Sequence, residues 1–348
     1  MRTRILLTIA ATATILAGCS NEETNEVIDS WDGEIRLSSE LAVQTRTYTP
    51  TQGTQIKQGQ EVYVWADEAA SPTATSYFSA WKLTAGSNGS LTNSSVSQYY
   101  PTTGNKLNFY AMHGNFGTSP FSGQNTDFPS SSGITHTVVA DQSGTDMTNY
   151  AKSDLLYAIT KNVQKSSSAV SLTFYHMLSK VEIALLAGDG NPTLTDAVVT
   201  ILNTKLKATF TPSKTATMDN QSERAGLVTV PTNDNDAAAI TVATKIATNN
   251  FTDAEYGEAI VVPQEVSAGS DFIKVALASG GPTFTHKISN KLTLASGKVY
   301  KYNITVKSTG LSVSSSITDW DATTDTSTGD ATMDDPTGDS GSGAGGAS

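Results

Sequence analysis

The chain has 348 residues, which is enough for about two domains after removal of a leader. Hydrophobic residues account for 38% and charged residues for 16% of the sequence, in agreement with an exported β protein. The formal net charge is -11, and no basic stripe offsets it. Binding to a phosphate backbone is therefore not expected, and nucleic acid is excluded as a partner.

Residues 1–18 have the pattern of a secretory signal. Arg2 and Arg4 precede an apolar run from Ile5 to Leu16 that is too short to span a bilayer. The sequence Leu-Ala-Gly-Cys at residues 16–19 resembles the lipobox of bacterial lipoproteins, which predicts acylation of Cys19 and an outer-membrane lipid anchor. The alternative is an ordinary cleaved signal followed by a chance cysteine. Cys19 is the single cysteine, so an internal disulfide is excluded.

Residues 19–32 are a polar, acidic tether, and the following residues 33–46 have the alternation of a half-buried β-strand. One parity carries the apolar residues Ile35, Leu37, Leu41 and Val43. The strand ends at Arg46 and Thr47, ahead of a turn-like segment at residues 48–53 that a trypsin-like protease can reach. We interpret residues 33–46 as a removable strand that completes the first sheet. The alternative is that Arg46 is an ordinary loop arginine.

The rest of the chain has no segment of ten or more residues with a convincing helical period. Apolar residues recur with period 2 between turn clusters, which predicts an all-β fold of sandwich type. Strands are predicted at residues 62–66, 107–111, 154–158, 170–174, 181–185, 198–202, 206–210, 227–230, 240–243, 259–262, 272–277, 284–288, 298–306 and 311–320. Residues 85–90 read as a loop, residues 114–135 as a long irregular excursion, and a helical turn or bulge is expected between His176 and Val181.

A linker at residues 160–168 divides the predicted strands into two sandwiches, residues 33–165 and residues 166–320. Residues 321–348 are rich in Asp, Thr, Ser and Gly, so this tail is expected to be disordered. The spacing of its aspartates does not match a calcium-binding loop, and no metal is expected there.

The sequence offers no support for an enzyme or a cofactor. Its histidines, His113, His136, His176 and His286, are scattered, and no metalloprotease, nucleophile-elbow or phosphate-loop motif is present. His176 shares the apolar parity of its strand, which favours a hydrogen-bonded structural role. Several aromatic residues could stack on sugar rings or pack in the core: Trp65, Tyr77, Trp81, Tyr99 and Tyr100.

Four motifs in order resemble those of the fimbrillin family, the lipoprotein-derived subunits of type V pili. They are DLLYA at residues 154–158, LTFYHMLSKVEI at 172–183, GKVYKYNITV at 297–306 and SITDW at 316–320. The resemblance implies two tandem transthyretin-like β-sandwiches. It also implies a lipid-anchored precursor at the cell surface, from which an arginine-specific protease removes the first strand by cutting between Arg46 and Thr47.

In this family the opened groove accepts a strand from a neighbouring subunit, so other pilus subunits are the implied partners, in a homopolymer or a heteropolymer. Stalk subunits donate a C-terminal strand, but the tail here is too polar to fill an apolar groove. The segment with Leu311, Val313, Ile317 and Trp320 is therefore either the donor or the last strand of the second sandwich. The latter would suit a tip subunit.

Two functions follow from these patterns. The first is a structural and adhesive subunit of a fimbrium, of stalk or tip type, with a host or bacterial surface as the adhesion target. The alternative is a lipid-anchored glycan-binding protein of the cell surface that does not polymerise and uses the aromatic residues near Trp81, Tyr99 and Tyr100.

Overall fold

The computed structural model describes residues 31–42, 53–69, 76–93, 96–118, 120–122, 126–215, 226–231, 237–243, 247–252, 254–278 and 280–320. Within these ranges the secondary structure consists of strands and one short helix, which confirms the predicted all-β class. The predictions for Cys19, Val43, Arg46 and Thr47 lie outside the described residues, as do those for the signal at residues 1–18 and the tail at 321–348.

Seven strands of the N-terminal half form a closed barrel with the order β1-β4-β3-β2-β5-β7-β8, where strands are numbered along the chain. The two faces of the predicted first sandwich are thus joined at both edges. The strands of the barrel are β1 Leu37–Leu41, β2 Glu61–Glu68, β3 Ser76–Ala85, β4 Ser90–Thr92, β5 Leu107–His113, β7 Leu156–Val163 and β8 Val170–His176.

The remaining strands form four sheets. A three-stranded sheet has the order β12-β11-β6, with β6 Ile134–Thr137, β11 Lys207–Pro212 and β12 Gly226–Thr229. A four-stranded sheet has the order β13-β10-β17-β18, with β10 Val198–Thr204, β13 Ala238–Thr241, β17 Asp271–Ala276 and β18 Thr283–Lys287. A five-stranded sheet has the order β14-β9-β20-β21, with β15 also paired to β9; its strands are β9 Ser179–Ala187, β14 Ala247–Thr248, β15 Gly257–Val261, β20 Lys298–Lys307 and β21 Gly310–Asp319. A two-stranded sheet pairs β16 Gln264–Val266 with β19 Leu292–Leu294, and the helix is α1 Thr148–Ser153.

Strand β2 lies between β3 and β5 and is buried on both faces, because both of its parities are apolar. Described residues of the irregular segment 114–135 cover the outer residues Tyr63 and Trp65 of β2. The ring of Phe121 lies 4.9 Å from that of Tyr63 and 4.8 Å from that of Trp65, measured between centroids. The Trp65 indole N–H donates to the Thr126 carbonyl at 2.8 Å. The described part of this segment therefore packs on the outside of the barrel.

The predicted boundary at residue 165 falls between β7 and β8, which pair within the barrel through Leu156 with His176 and Tyr157 with Tyr175. The predicted linker also overlaps β7, which continues to Val163. In addition, β6 from the N-terminal half pairs with β11 from the C-terminal half. The division into two sandwiches remains a prediction, and a boundary consistent with these pairings would follow His176.

The chain leaves the barrel at Met177 and Leu178, two fully buried residues between β8 and β9. The next strand, β9, belongs to the five-stranded sheet. The change of parity noticed in the sequence therefore marks a passage from one sheet to another, and it is neither a helical turn nor a bulge within one strand.

Candidate functional site

The removable strand of the sequence interpretation corresponds to β1, which closes the barrel. It pairs with β4 in antiparallel fashion through Leu37 with Leu91 and Ser38 with Ser90. On its other side it runs parallel to β8 through five residue pairs, from Leu37 with Val170 to Leu41 with Phe174. Strand β1 therefore occupies a slot between two strands, here called the β1 slot.

The side chains of residues 35–41, which comprise β1 and the two residues before it, alternate between the barrel interior and the surface. Four residues of one parity are almost completely buried, with exposed fractions of 3, 2, 4 and 3%: Ile35, Leu37, Ser39 and Leu41. Arg36 and Glu40, on the other parity, are exposed. The interior of the β1 slot thus presents three large apolar positions and one small position.

Backbone hydrogen bonds hold this segment on both sides. On the β8 side, the Ala42 N–H donates to the Phe174 carbonyl and the Val170 N–H donates to the Arg36 carbonyl, each at 2.8 Å. On the β4 side, donors of this segment reach the carbonyls of Gln98, Gly89 and Thr54 at 2.7, 2.7 and 2.8 Å. Removal of β1 would therefore leave two rows of backbone groups without their partners.

Gly89, in the turn before β4, lies directly against β1. Its φ angle is +77°, and a Cβ atom at this position would lie 2.8 Å from the Ser39 carbonyl oxygen. Ser39 in turn donates two hydrogen bonds to the Gly89 carbonyl, one from its N–H and one from its Oγ. The sequence interpretation placed residues 85–90 in a loop and did not identify this contact, because an isolated glycine gives no sign of which strand lies beside it.

A Gly89→Ala variant is expected to be less stable than a Gly104→Ala variant by at least about 1 kcal/mol in free energy of unfolding. Gly104 has φ +78° and nothing within 4 Å of its Cβ position. Alanine at this position therefore costs only the free energy of holding a side-chain-bearing residue in the left-handed backbone conformation, about 1–2 kcal/mol. Urea denaturation of both variants measures the difference. Equal stability would mean that the approach of β1 to Gly89 is not tight.

The C-terminal candidate segment forms β21, which pairs with β20 along its whole length of ten residues. Strand β21 lies at the end of its sheet, so within the described structure it pairs on one side only. Leu311, Val313 and Ile317 are partly buried against the core. The structure therefore places these three residues in the last strand of the described part of the chain.

Trp320, directly after β21, packs against the end of β8. Its ring is stacked on that of His176, with centroids 4.0 Å apart and an interplanar angle of 5°. His176 Nδ1 lies 2.7 Å from Asp154 Oδ2, in agreement with the predicted structural role of this histidine. Lys180 Nζ lies 5.2 Å from the centroid of the Trp320 ring. The end of β21 is thus held against the strand that forms one wall of the β1 slot.

A buried ionic cluster lies next to this stack. Lys180 Nζ is 2.9 Å from Glu182 Oε1 and 3.5 Å from Glu258 Oε1, and the three side chains are at most 2% exposed. The Tyr150 hydroxyl donates to Glu258 Oε2 at 2.8 Å. The sequence interpretation missed this cluster, because Lys180 and Glu182 occupy the parity of β9 that alternation assigns to solvent.

Two further histidines, His113 of the barrel strand β5 and His136 of β6, contact α1. His113 Nε2 lies 3.0 Å from the Ala151 carbonyl, and His136 Nε2 lies 2.8 Å from the Ser153 carbonyl. Burial of the imidazole lowers the pKa of His136 to about 4. Both rings therefore serve packing and hydrogen bonding at the helix.

Most of the aromatic residues considered for sugar stacking are in the core. Trp65, Trp81 and Tyr100 are buried, and the Trp81 indole N–H donates to the Val96 carbonyl at 2.8 Å. Tyr99 is 44% exposed. The described residues contain no group of three or more His, Cys, Asp or Glu side chains that could hold a metal ion. No helix in the described ranges is long and apolar enough to span a membrane.

Comparison with solved structures shows a similar fold in candidate cell adhesion proteins of Bacteroides species. A candidate cell adhesion protein from Bacteroides uniformis is 23% identical, with a TM-score of 0.53; the match covers 83% of this chain and 100% of that one. One from Bacteroides ovatus is 18% identical, with a TM-score of 0.56, and the match covers 82% and 97% of the two chains. No curated protein matches the sequence.

The profile of the fimbrillin-like family matches residues 45–320. This range includes every described strand except β1. It also includes the four motifs on which the resemblance was based. Because the match extends over most of the sequence, the chain belongs to the fimbrillin-like family.

Proposed function

We propose that this fimbrial protein, a structural protein of the cell surface without enzymatic activity, is exported as a lipoprotein, matured by proteolysis and polymerised by strand exchange. Cys19 carries the lipid that anchors the precursor to the outer membrane. An arginine-specific protease cuts between Arg46 and Thr47 and releases the segment that contains β1. A strand of a neighbouring subunit then fills the β1 slot.

The observation that carries this proposal is the position of β1 between β4 and β8. Ile35, Leu37 and Leu41 together contribute about 5–9 kcal/mol by burial, before entropy is subtracted. A whole domain is typically stable by about 5–15 kcal/mol. Loss of β1 therefore leaves an apolar slot with unpaired strand edges, which another strand can repair.

The start of the family match supports the position of the cut. The match begins at residue 45, next to Arg46, so β1 lies outside the part of the chain that matches the family. In the described structure β1 contacts the barrel through non-covalent interactions alone. A single cut at Arg46 is thus sufficient to allow its release.

The glycan-binding alternative has less support. Trp81 and Tyr100 are buried, so neither ring presents a face to a sugar. A subunit of stalk type requires a donor strand, whereas a subunit of tip type requires only the slot. The choice between these types depends on whether β21, which pairs with β20 in its own subunit, serves as a donor.

Treatment of the precursor with an arginine-specific protease tests the proposal. We expect one dominant cut after Arg46, followed by a ladder of polymers on a gel. An Arg46→Lys variant keeps the positive charge but is not a substrate, so it should remain monomeric. Arg36→Lys, which changes an arginine on the outer face of β1, is the matched control and should polymerise normally. Ladders of normal intensity from Arg46→Lys would show that this cut is not the trigger.

A further inference from the structure

Asn88 and Gly89 form the one Asn-Gly pair in the sequence. They lie in the turn between β3 and β4, where Asn88 is exposed and Gly89 is buried. The side-chain amide of an asparagine before glycine is open to attack by the next backbone nitrogen, because glycine has no side chain that hinders the approach or limits backbone rotation. The turn that borders the β1 slot therefore contains a chemically reactive pair.

Hydrogen bonds within the turn hold both residues of this pair. The Gly89 N–H donates to the Gly86 carbonyl at 3.3 Å, and the Gly86 N–H donates to the Ser90 carbonyl at 2.8 Å. The side-chain oxygen of Asn88 accepts from the Ser90 N–H at 3.2 Å. The bond from the Gly89 N–H is the longest of the three and hence the weakest. The turn by itself thus restrains the Gly89 nitrogen only loosely.

Strand β1 adds a stronger restraint on Gly89. The Ser39 N–H and Oγ donate to the Gly89 carbonyl at 2.7 and 3.2 Å. Gln55 also packs against this glycine, since its Cδ lies 2.9 Å from the position that a Cβ atom of Gly89 would take. The peptide group between Asn88 and Gly89 therefore cannot leave the turn unless the bonds from Ser39 break.

Resting on the release of β1 proposed above, we infer that Asn88 is a deamidation site that β1 protects and that reacts while the β1 slot is empty. The Gly89 nitrogen attacks Cγ of Asn88, the bond from Cγ to the side-chain nitrogen breaks, and ammonia leaves with the proton of the Gly89 N–H. Water then opens the succinimide ring. Opening at Cγ gives aspartate at residue 88, and opening at the main-chain carbonyl carbon gives isoaspartate.

Isoaspartate at residue 88 alters the wall of the β1 slot. It lengthens the backbone before Gly89 by one carbon atom, so it displaces the carbonyl that accepts both bonds from Ser39. A strand that replaces β1 pairs with the same backbone groups. A subunit that stays open therefore loses its ability to accept a strand, whereas a filled subunit keeps its turn intact. The reaction limits the lifetime of an empty slot.

The rate of isoaspartate formation in cut and uncut protein tests this inference. Wild-type protein is cut at Arg46 and kept dilute, and gel filtration with intact mass measurement verifies a monomer that has lost the β1 segment. The matched control is Arg46→Lys, which meets the same protease and keeps β1. Both proteins are incubated in mildly alkaline buffer, and peptide mapping by mass spectrometry measures the products at residue 88. A synthetic peptide of residues 85–92 gives the rate without the fold.

We expect residue 88 to react at least tenfold faster in the cut protein than in Arg46→Lys, at a rate close to that of the peptide. Equal rates in the two proteins would overturn the protection by β1. An unreacted Asn88 in the cut protein, under conditions where the peptide reacts, would overturn the site itself. Retention of the β1 segment after the cut is visible in the mass before incubation, and that result would reject the proposed function together with the inference.

A second measurement tests the effect on strand exchange. Asn88→Ser cannot form the succinimide, and its hydroxyl can still accept from the Ser90 N–H. Melting curves of the uncut variant establish that it folds. Both cut proteins are aged while dilute and are then concentrated. We expect aged wild-type protein to form at least fivefold less polymer than fresh protein, and aged Asn88→Ser to polymerise like its fresh counterpart. Equal losses in the two proteins would show that the reaction at residue 88 does not limit the slot.

Discussion

A subunit that carries both Leu37→Asp and Leu41→Asp is expected to lose about 5 kcal/mol or more of its free energy of unfolding before the cut. Both leucines are inward-facing residues of β1 and are almost completely buried. The double substitution removes two apolar side chains from the barrel and places two carboxylates there. Because the expected loss is comparable to the stability of a typical domain, the variant should unfold at much lower urea concentration and temperature.

The outer face of the same strand provides a matched control. Arg36→Asp with Glu40→Asp introduces two aspartates at exposed positions and should change stability by less than about 1 kcal/mol. After the cut, the released segment takes all four positions with it, so the mature chains are identical to wild type. A melting temperature of the uncut Leu37→Asp, Leu41→Asp protein equal to wild type would refute the role of β1 in the barrel.

A Lys180→Met variant is expected to lose about 3–5 kcal/mol of its free energy of unfolding. Lys180 is the cation that contacts Glu182 and Glu258, and all three side chains are buried. Methionine fills a similar volume but brings no charge, so two carboxylates would remain in the interior without this ammonium group. Urea denaturation of the uncut protein measures the loss.

An exposed ion pair provides the control for this prediction. Lys291 Nζ lies 2.7 Å from Glu265 Oε1, and the two side chains are 61% and 62% exposed. Lys291→Met should therefore lower the free energy of unfolding by no more than about 1 kcal/mol. Adding Glu258→Gln to Lys180→Met should recover part of the stability, because it removes one of the two buried charges. Equal losses from Lys180→Met and Lys291→Met would contradict a role of burial in this cluster.

Alternation of apolar and polar residues was sufficient to predict the all-β class and the long strands. β2, with two apolar faces, and β20, with a clear alternation, are where the sequence predicts them. Shorter elements escaped prediction, including β4 with three residues and α1 with six, because so few residues do not establish a period. The predicted linker was partly wrong, since its polar residues as far as Val163 belong to β7.

The properties of the candidate site likewise fall into those predicted from the sequence and those visible only in the tertiary structure. The sequence alone determined that residues 35–41 have one buried and one exposed face, because that property depends on neighbouring side chains along one strand. Only the tertiary structure decided that this strand closes a barrel between β4 and β8, beside Gly89, which is 50 residues from Ser39. Contacts with β8 join residues 131 positions apart, as between Glu40 and Ser171. Strand pairing at such separations depends on how the whole chain packs, and no local pattern records it.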